Sequence, residues 1–361
     1  MKKRLLGTTA LVGAVAFTSA ATAQSVEVGG ALDVSISGST NFGVEYTDED
    51  FDFGVDDGEP NGREFFFNQD HEIVFQADGV GDATGTRYGV NLELEAQDGD
   101  GAGFDEAWTY ISGNWGEFRL GDDDAATDQL LITSAFVAAG TGAVDGNQRT
   151  VPGHQIEDSG EATKILYFTP EVAGFQGGVS YAIKGDDRGE EPVFGSGADF
   201  DPTTGNLIDS NTSDHIDLAA NWQGSFGGAD VGVYGGATFF SIDALDENAT
   251  NYQFGGYGEL FGIGLAGSIG FEDEDLEALD GRDLFWNIGA GGDFAGVDLS
   301  FNFHQDDFED ADLETQEQYI VSASVPLLPG VSLGGDVAYV SDYEGGDEDG
   351  VNALLQLDTS F

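Results

Sequence analysis

The chain has 361 residues, 68 Asp and Glu against 11 Lys and Arg, and a formal net charge of −57 at pH 7. Such a charge excludes nucleic acid as a partner by repulsion from its phosphates. With no cysteine, disulfides, thiolate nucleophiles and cysteine-held zinc are excluded as well. The total speaks to solubility and habitat rather than fold, so the placement of the charges carries more information.

In chain order, Lys2, Lys3 and Arg4 precede an apolar run from Leu5 to Phe17 and small residues ending Ala21-Thr22-Ala23. That is the pattern of a secretory signal peptide cut after an A-x-A site, giving a signal at 1–23 and a single domain at 24–361. The segment holds three of the 11 bases and no acid, which leaves eight bases against 68 acids. No later run reaches the roughly eighteen apolar residues of a membrane-crossing helix.

Beyond it the chain alternates with period two. Strands are predicted near 26–46, 64–77, 86–97, 104–112, 116–121, 163–170, 175–184 and 215–226. They continue near 230–242, 251–261, 263–272, 283–294, 297–307, 315–327, 331–343 and 351–361, sixteen in all. Around ten tilted residues per strand is what crosses a bilayer. The first segment, read as one strand, is unusually long, with Gly38 and Gly43 as bending points.

The connections fall into two kinds. Gly113-Asn114-Trp115-Gly116, Gly227-Gly228-Ala229, Phe261-Gly262, Ala295-Gly296 and Pro329-Gly330 are tight. The stretches 47–63, 121–162, 185–214, 243–250, 273–282, 308–314 and 344–350 are long and acidic. Tight turns at one end and long loops at the other is how outer-membrane barrels are built. Parity separates the faces: Val297, Leu299, Phe301 and Phe303 oppose Asp298, Ser300, Asn302 and His304. The fold class is therefore all-β, a 16-stranded antiparallel transmembrane barrel with short periplasmic turns, long extracellular loops and an inward-folded third loop. Its apolar face meets lipid and its polar face a water-filled lumen.

The final stretch, VNALLQLDTSF, alternates and stops on Phe361, which resembles the assembly signal of Gram-negative outer-membrane barrels. DEAWTYISGNWGEFRLGDDDAATD (105–128) resembles the strand–turn–strand of trimeric general porins, where a Gly-x-x-x-x-Gly segment leads into the inward-folded loop. The chain is similar in architecture throughout to α-proteobacterial porins, with one departure: Asp122 stands where such porins often carry Arg. The resemblance implies an outer-membrane channel for passive diffusion of small hydrophilic solutes and ions, not an enzyme. It also implies a homotrimer set in outer-membrane lipid and lipopolysaccharide.

Candidate site residues follow from loop and parity. Asp122, Asp123, Asp124, Asp128, Asp145 and Arg149 lie in the long loop, whose segment LLITSAFVAAGTGAV (130–144) is too apolar to be solvated. Arg87, Glu93, Glu95, Arg119, Lys164, Lys184, Asp298 and His304 are read as pore wall, and the acid surplus points to cation selectivity. The alternatives are a solute-specific channel, or a secreted acidic β-protein that binds calcium or surfaces without forming a pore.

Other motifs lack context. Gly262-x-Gly264-x-x-Gly267 precedes a strand where a dinucleotide site needs a helix. Asp48, Asp50, Asp52 and Glu59 imitate a calcium loop without flanking helices. No cofactor is expected, loop carboxylates could hold calcium at no assignable site, and His71, His154, His215 and His304 show no metal-type spacing.

Overall fold

A computed structural model describes residues 26–28, 32–47, 65–81, 85–97, 103–140, 154–185, 212–242, 247–273, 282–308, 315–341 and 349–361. The expected signal peptide and the calcium-like stretch at 48–59 lie outside these residues. The described residues form seventeen strands, of which the first six are β1 (Val26–Val28), β2 (Leu32–Thr47), β3 (Phe65–Val80), β4 (Arg87–Gln97), β5 (Gly103–Gly113) and β6 (Gly116–Asp122). After the long third loop come β7 (Thr163–Phe168), β8 (Phe175–Lys184), β9 (Thr212–Phe226), β10 (Ala229–Ile242) and β11 (Glu247–Leu260). The last six are β12 (Ile263–Phe271), β13 (Arg282–Asp293), β14 (Asp298–Phe308), β15 (Gln316–Leu328), β16 (Val331–Ser341) and β17 (Gly350–Ser360).

Each strand from β2 to β17 pairs antiparallel with its sequence neighbour, and β17 pairs with β2, closing a ring of sixteen. Closure leaves no edge within the ring, and every strand can satisfy its backbone polar groups in lipid. One expectation is corrected. The segment 26–46 is not a single strand, because Val26 pairs with Val34 and Val28 with Leu32, so the chain turns back on itself between them. Period two continues through such a reversal, which is why alternation alone hid it.

The tight connections follow from backbone chemistry. Gly227 and Gly228, Phe261 and Gly262, and Ala295 and Gly296 are pairs in which both residues have positive φ. That geometry matches the twist of two-residue hairpins.

The faces are inverted relative to a soluble protein. On β14 Leu299 and Phe301 are exposed, while Ser300, Asn302, His304 and Asp306 are buried. The same holds on β15, where Tyr319 and Val321 point out and Gln318, Ile320 and Ser322 point in. An outer surface carrying this much apolar area needs lipid or another subunit against it. No described helix is long and apolar enough to cross a membrane; the strands do the crossing.

Candidate functional site: the loop inside the barrel

The third loop leaves β6 and enters the lumen. Its first turn is a short helix, Ala126–Gln129, followed by a 3-10 turn at Ser134–Val137. Ala126, Leu130 and Ile132 pack with the wall residues Leu166, Phe168, Ala219 and Tyr234. This inner apolar strip explains why an uncharged loop segment sits in a polar lumen. Beyond it, the Ser134 amide donates to Asn287 Oδ1 at 2.8 Å and the Ala139 amide to Ser300 Oγ at 2.7 Å.

The returning limb runs back along β11 to β9. The Ile156 amide donates to Gln253 Oε1 at 3.2 Å, and the Glu157 carbonyl accepts from Thr238 and Asn251 at 2.8 and 3.2 Å. Ser159 Oγ donates to Asp217 Oδ2 at 2.6 Å. Both limbs thus lie on the wall from β7 to β14, with Gly140 reaching Ala323 of β15, leaving β17, β2 and β3 facing the loop across the lumen.

Two glycines make the close approach possible. A Cβ on Gly255 would stand 1.8 Å from the Ile132 carbonyl oxygen, and one on Gly291 2.0 Å from that of Val137. The glycine content of β11 and β13 was visible in the sequence, but its purpose appears only once the loop is seated against it.

Arg119 anchors the loop root. It is 1% exposed; Nε donates to Glu117 Oε1 at 2.7 Å, and Nη1 to Asp123 Oδ2 at 3.1 Å and Gln129 Oε1 at 3.0 Å. Its guanidinium lies 4.3 Å from the Trp108 ring centre, a cation–π contact. Lys164 is buried nearby; its ammonium donates to the Gly160 carbonyl and acts on Asp123, Asp124, Asp128 and Asp158.

Burial is the main force on the loop acids. It pushes Asp123 up to about 6, with Asp124 adding to the rise and Arg119 opposing it. Asp158 is pushed up to about 8, by burial first and then by the charge of Asp217. Asp128 is raised well above the usual carboxylate range by burial and by Asp124, to which it is hydrogen-bonded. Part of the loop root is therefore protonated at neutral pH.

The wall residues divide. Glu93 is buried on the inner face beside the charges of Glu72 and Glu106, and Glu95 is hydrogen-bonded to Asp70. Arg87 sits at the periplasmic end of β4, hydrogen-bonded to Tyr110. Lys184 ends β8 and Asp298 begins β14, so they stand at opposite rims, away from the loop.

Two further corrections arise. Asp122 is not in the constriction: it shares the outward parity of Phe118 and Leu120 and accepts a hydrogen bond from Thr163 at the rim. His154 and His304, read as lacking metal-type spacing, come together with Asp306, one ligand atom of each lying within 4.8 Å of the others. Asp145 and Arg149 lie outside the described residues.

The sequence reading also missed Arg282, which pairs with Glu272 at 3.2 Å, and Glu45, which accepts from Asn352 at 2.5 Å. Glu45 sits on the inner parity of β2, so alternation was enough to find it.

A family model described as Gram-negative porin matches residues 7–346. The chain belongs to that family. This porin is 35% identical over 97 residues to outer membrane porin protein 32 of Delftia acidovorans. That match spans 25% of the chain and 28% of the relative, little more than a quarter of its length. Among solved structures, a mutant of the Rh. blastica porin is 15% identical, with 91% of this chain and 100% of that one covered and a TM-score of 0.62. A triple mutant of the Rhodopseudomonas blastica porin aligns over the same shares at 15% identity and a TM-score of 0.61. These likenesses show the fold, a porin barrel. Family and fold are those of outer-membrane channels rather than of enzymes.

Proposed function

We propose that this porin is a cation-selective diffusion channel for small hydrophilic solutes, narrowed by its third loop and working as a homotrimer. The reading rests on how the lumenal bases are engaged. Arg119 is held by Glu117 and Asp123, Arg282 by Glu272, and Lys164 stands among four loop carboxylates. Bases spent in this way offer little to a passing anion, whereas Glu45 and Glu93 line the inner wall and Glu106 stands within the field of Asp123 and Asp124 at the loop root. Asp123, which is ionised above about pH 6, supplies the loop's share of the field, and Asp124 and Asp128 add to it as pH rises.

The outer surface supports an oligomer. Down β3 the outward residues read Phe65, Phe67, Gln69, His71 and Ile73, all exposed. Two polar side chains interrupt the apolar column there, and the His71 ring bonds sideways to Thr40 on β2. An ionisable group facing lipid is costly, so this face suits a neighbouring copy better than acyl chains, while the remaining circumference takes lipid and lipopolysaccharide. Reversal potentials across a KCl gradient test the selectivity. The wild type is expected to prefer potassium, and Asp123, Asp124 and Asp128 changed together to Asn to prefer it less. Anion preference in the wild type would overturn the proposal.

A further inference from the structure

Three side chains with no part in the anchoring at the loop root meet where the returning limb passes β14. His304 and Asp306 are two residues apart on one strand, so period two puts both on the inner face. His154 reaches them from the loop. Its ring stacks on that of His304 with centroids 5.5 Å apart and planes 19° from parallel, and it lies 5.3 Å from Phe285. His304 Nε2 lies 2.9 Å from Asp306 Oδ2, which also accepts from Gln316 at 3.4 Å. The other two ligating atoms, His304 Nδ1 and Asp306 Oδ1, are buried and find no hydrogen-bond partner among the described residues.

Buried polar atoms are nearly always paired. Two orphaned lone-pair donors beside a third imidazole form a set that lacks an electrophile at its centre. The neighbouring cation, Arg282, donates from Nε to Glu272 at 3.2 Å and adds its charge beside His154 and Asp306, but it hydrogen-bonds neither orphaned atom. We propose that His154, His304 and Asp306 bind a divalent transition-metal ion of the zinc class, tying the returning limb of the loop to the barrel wall.

The donor set favours this class. Two imidazole nitrogens suit Zn2+, Ni2+ or Cu2+, whereas Ca2+ and Mg2+ take oxygen ligands. Ligands at about 2.0–2.1 Å from a tetrahedral zinc stand roughly 3.4 Å apart. The three atoms here lie within 4.8 Å of one another, so small side-chain rotations close the set. Three protein ligands leave one position for water or a solute group from the lumen. Because one ligand sits on the loop and two on the strand, occupancy would fix the position of the limb.

The test uses the full-length protein in detergent with ZnCl2 as the probe, in excess MgCl2 so that ordinary carboxylate sites are already filled. One saturable zinc per protomer is expected by calorimetry. His154→Ala and His304→Ala should each weaken it at least about tenfold, the scale on which even outer-shell partners matter. His215→Ala, a buried inner-face histidine elsewhere on the wall, should leave it unchanged. Heat-modifiability on gels verifies that each variant remains a folded barrel. Co2+ in the wild-type protein should give the intense visible absorption of a four- or five-coordinate site containing nitrogen. The absence of a magnesium-resistant zinc site, zinc affinity unchanged from wild type in folded His154→Ala and His304→Ala, or a weak octahedral Co2+ spectrum in the wild type would each overturn the proposal.

Discussion

At the scale of single residues, the loop root is decided by desolvation rather than by formal charge. Arg119 is enclosed by Glu117, Asp123, Gln129 and Trp108, a forked arrangement that lysine cannot reproduce. Removing one partner of a buried pair leaves an uncompensated charge and costs about 3–5 kcal/mol. Arg119→Met should therefore lower the temperature at which the folded gel band converts to the unfolded one, and should raise cation preference. Asp158 works in the other direction. Its folded value, about 8, lies above the ordinary 3.8, so the folded state holds the proton more tightly than the unfolded chain. The contribution to loop attachment is full below about pH 4, declines as pH rises, and is lost above 8. Asp158→Asn should keep the loop attached at alkaline pH, seen as a flatter pH dependence of protease cutting within the loop. The same protonation equilibria predict that potassium preference in the wild type increases from pH 5 to 9, as Asp123 and then Asp158 ionise.

At the scale of elements, closure and loop seating each depend on one contact with little tolerance. The Gly38 amide donates to the Phe361 carbonyl at 3.1 Å, and the Phe361 amide to the Gly38 carbonyl at 3.0 Å, extending the β17–β2 ladder to the last residue. A Cβ on Gly38 would meet the Glu72 carbonyl oxygen at 2.3 Å. Deleting Phe361, or Gly38→Val, should reduce folded protein in the outer membrane, measured on fractionated cells; undiminished levels in both would contradict closure through this pair. Gly291→Leu should instead leave the barrel intact and push the loop off the wall, read as altered single-channel conductance with unchanged heat-modifiability. Much of this was legible in the sequence, because strand period, turn pairs and loop length are local properties. Parity also places Glu93, Arg119 and Lys164 on the inner face, and applied to β6 it would have excluded Asp122, which alternates with Arg119. The reversal between Val28 and Leu32 was not legible, since alternation runs through it unbroken. Nor was the meeting of His154 with His304, which are 150 positions apart and joined only when a loop folds across the lumen.

For the whole molecule, the barrel's two surfaces pose separate questions. The outer one concerns assembly. The chain has no cysteine, so Gln69→Cys on β3 supplies a single thiol beside His71. It should be linked to a second copy by a short bis-maleimide, while Phe254→Cys on the exposed face of β11 should not. Linkage at Phe254→Cys alone would move the subunit contact to the other side of the barrel. The inner surface concerns the reach of its charges. At an effective dielectric constant near 20, two unit charges 4 Å apart interact by roughly 4 kcal/mol. The Debye length is about 10 Å at 0.1 M salt and about 3 Å at 1 M. Glu45, Glu93 and Glu106 are buried in the wall rather than projecting into the stream, so they act on an ion from a distance that only dilute salt permits. The permeability ratio of potassium over chloride should therefore be high at 0.1 M KCl and fall toward unity at 1 M. At alkaline pH, where both carboxyls carry charge, changing Glu93 and Glu106 together to Gln should lower the ratio at 0.1 M and leave the 1 M value nearly unmoved. A ratio that persists at 1 M in the wild type would mean that direct contact with a few groups, and not the field of the wall, selects the ion.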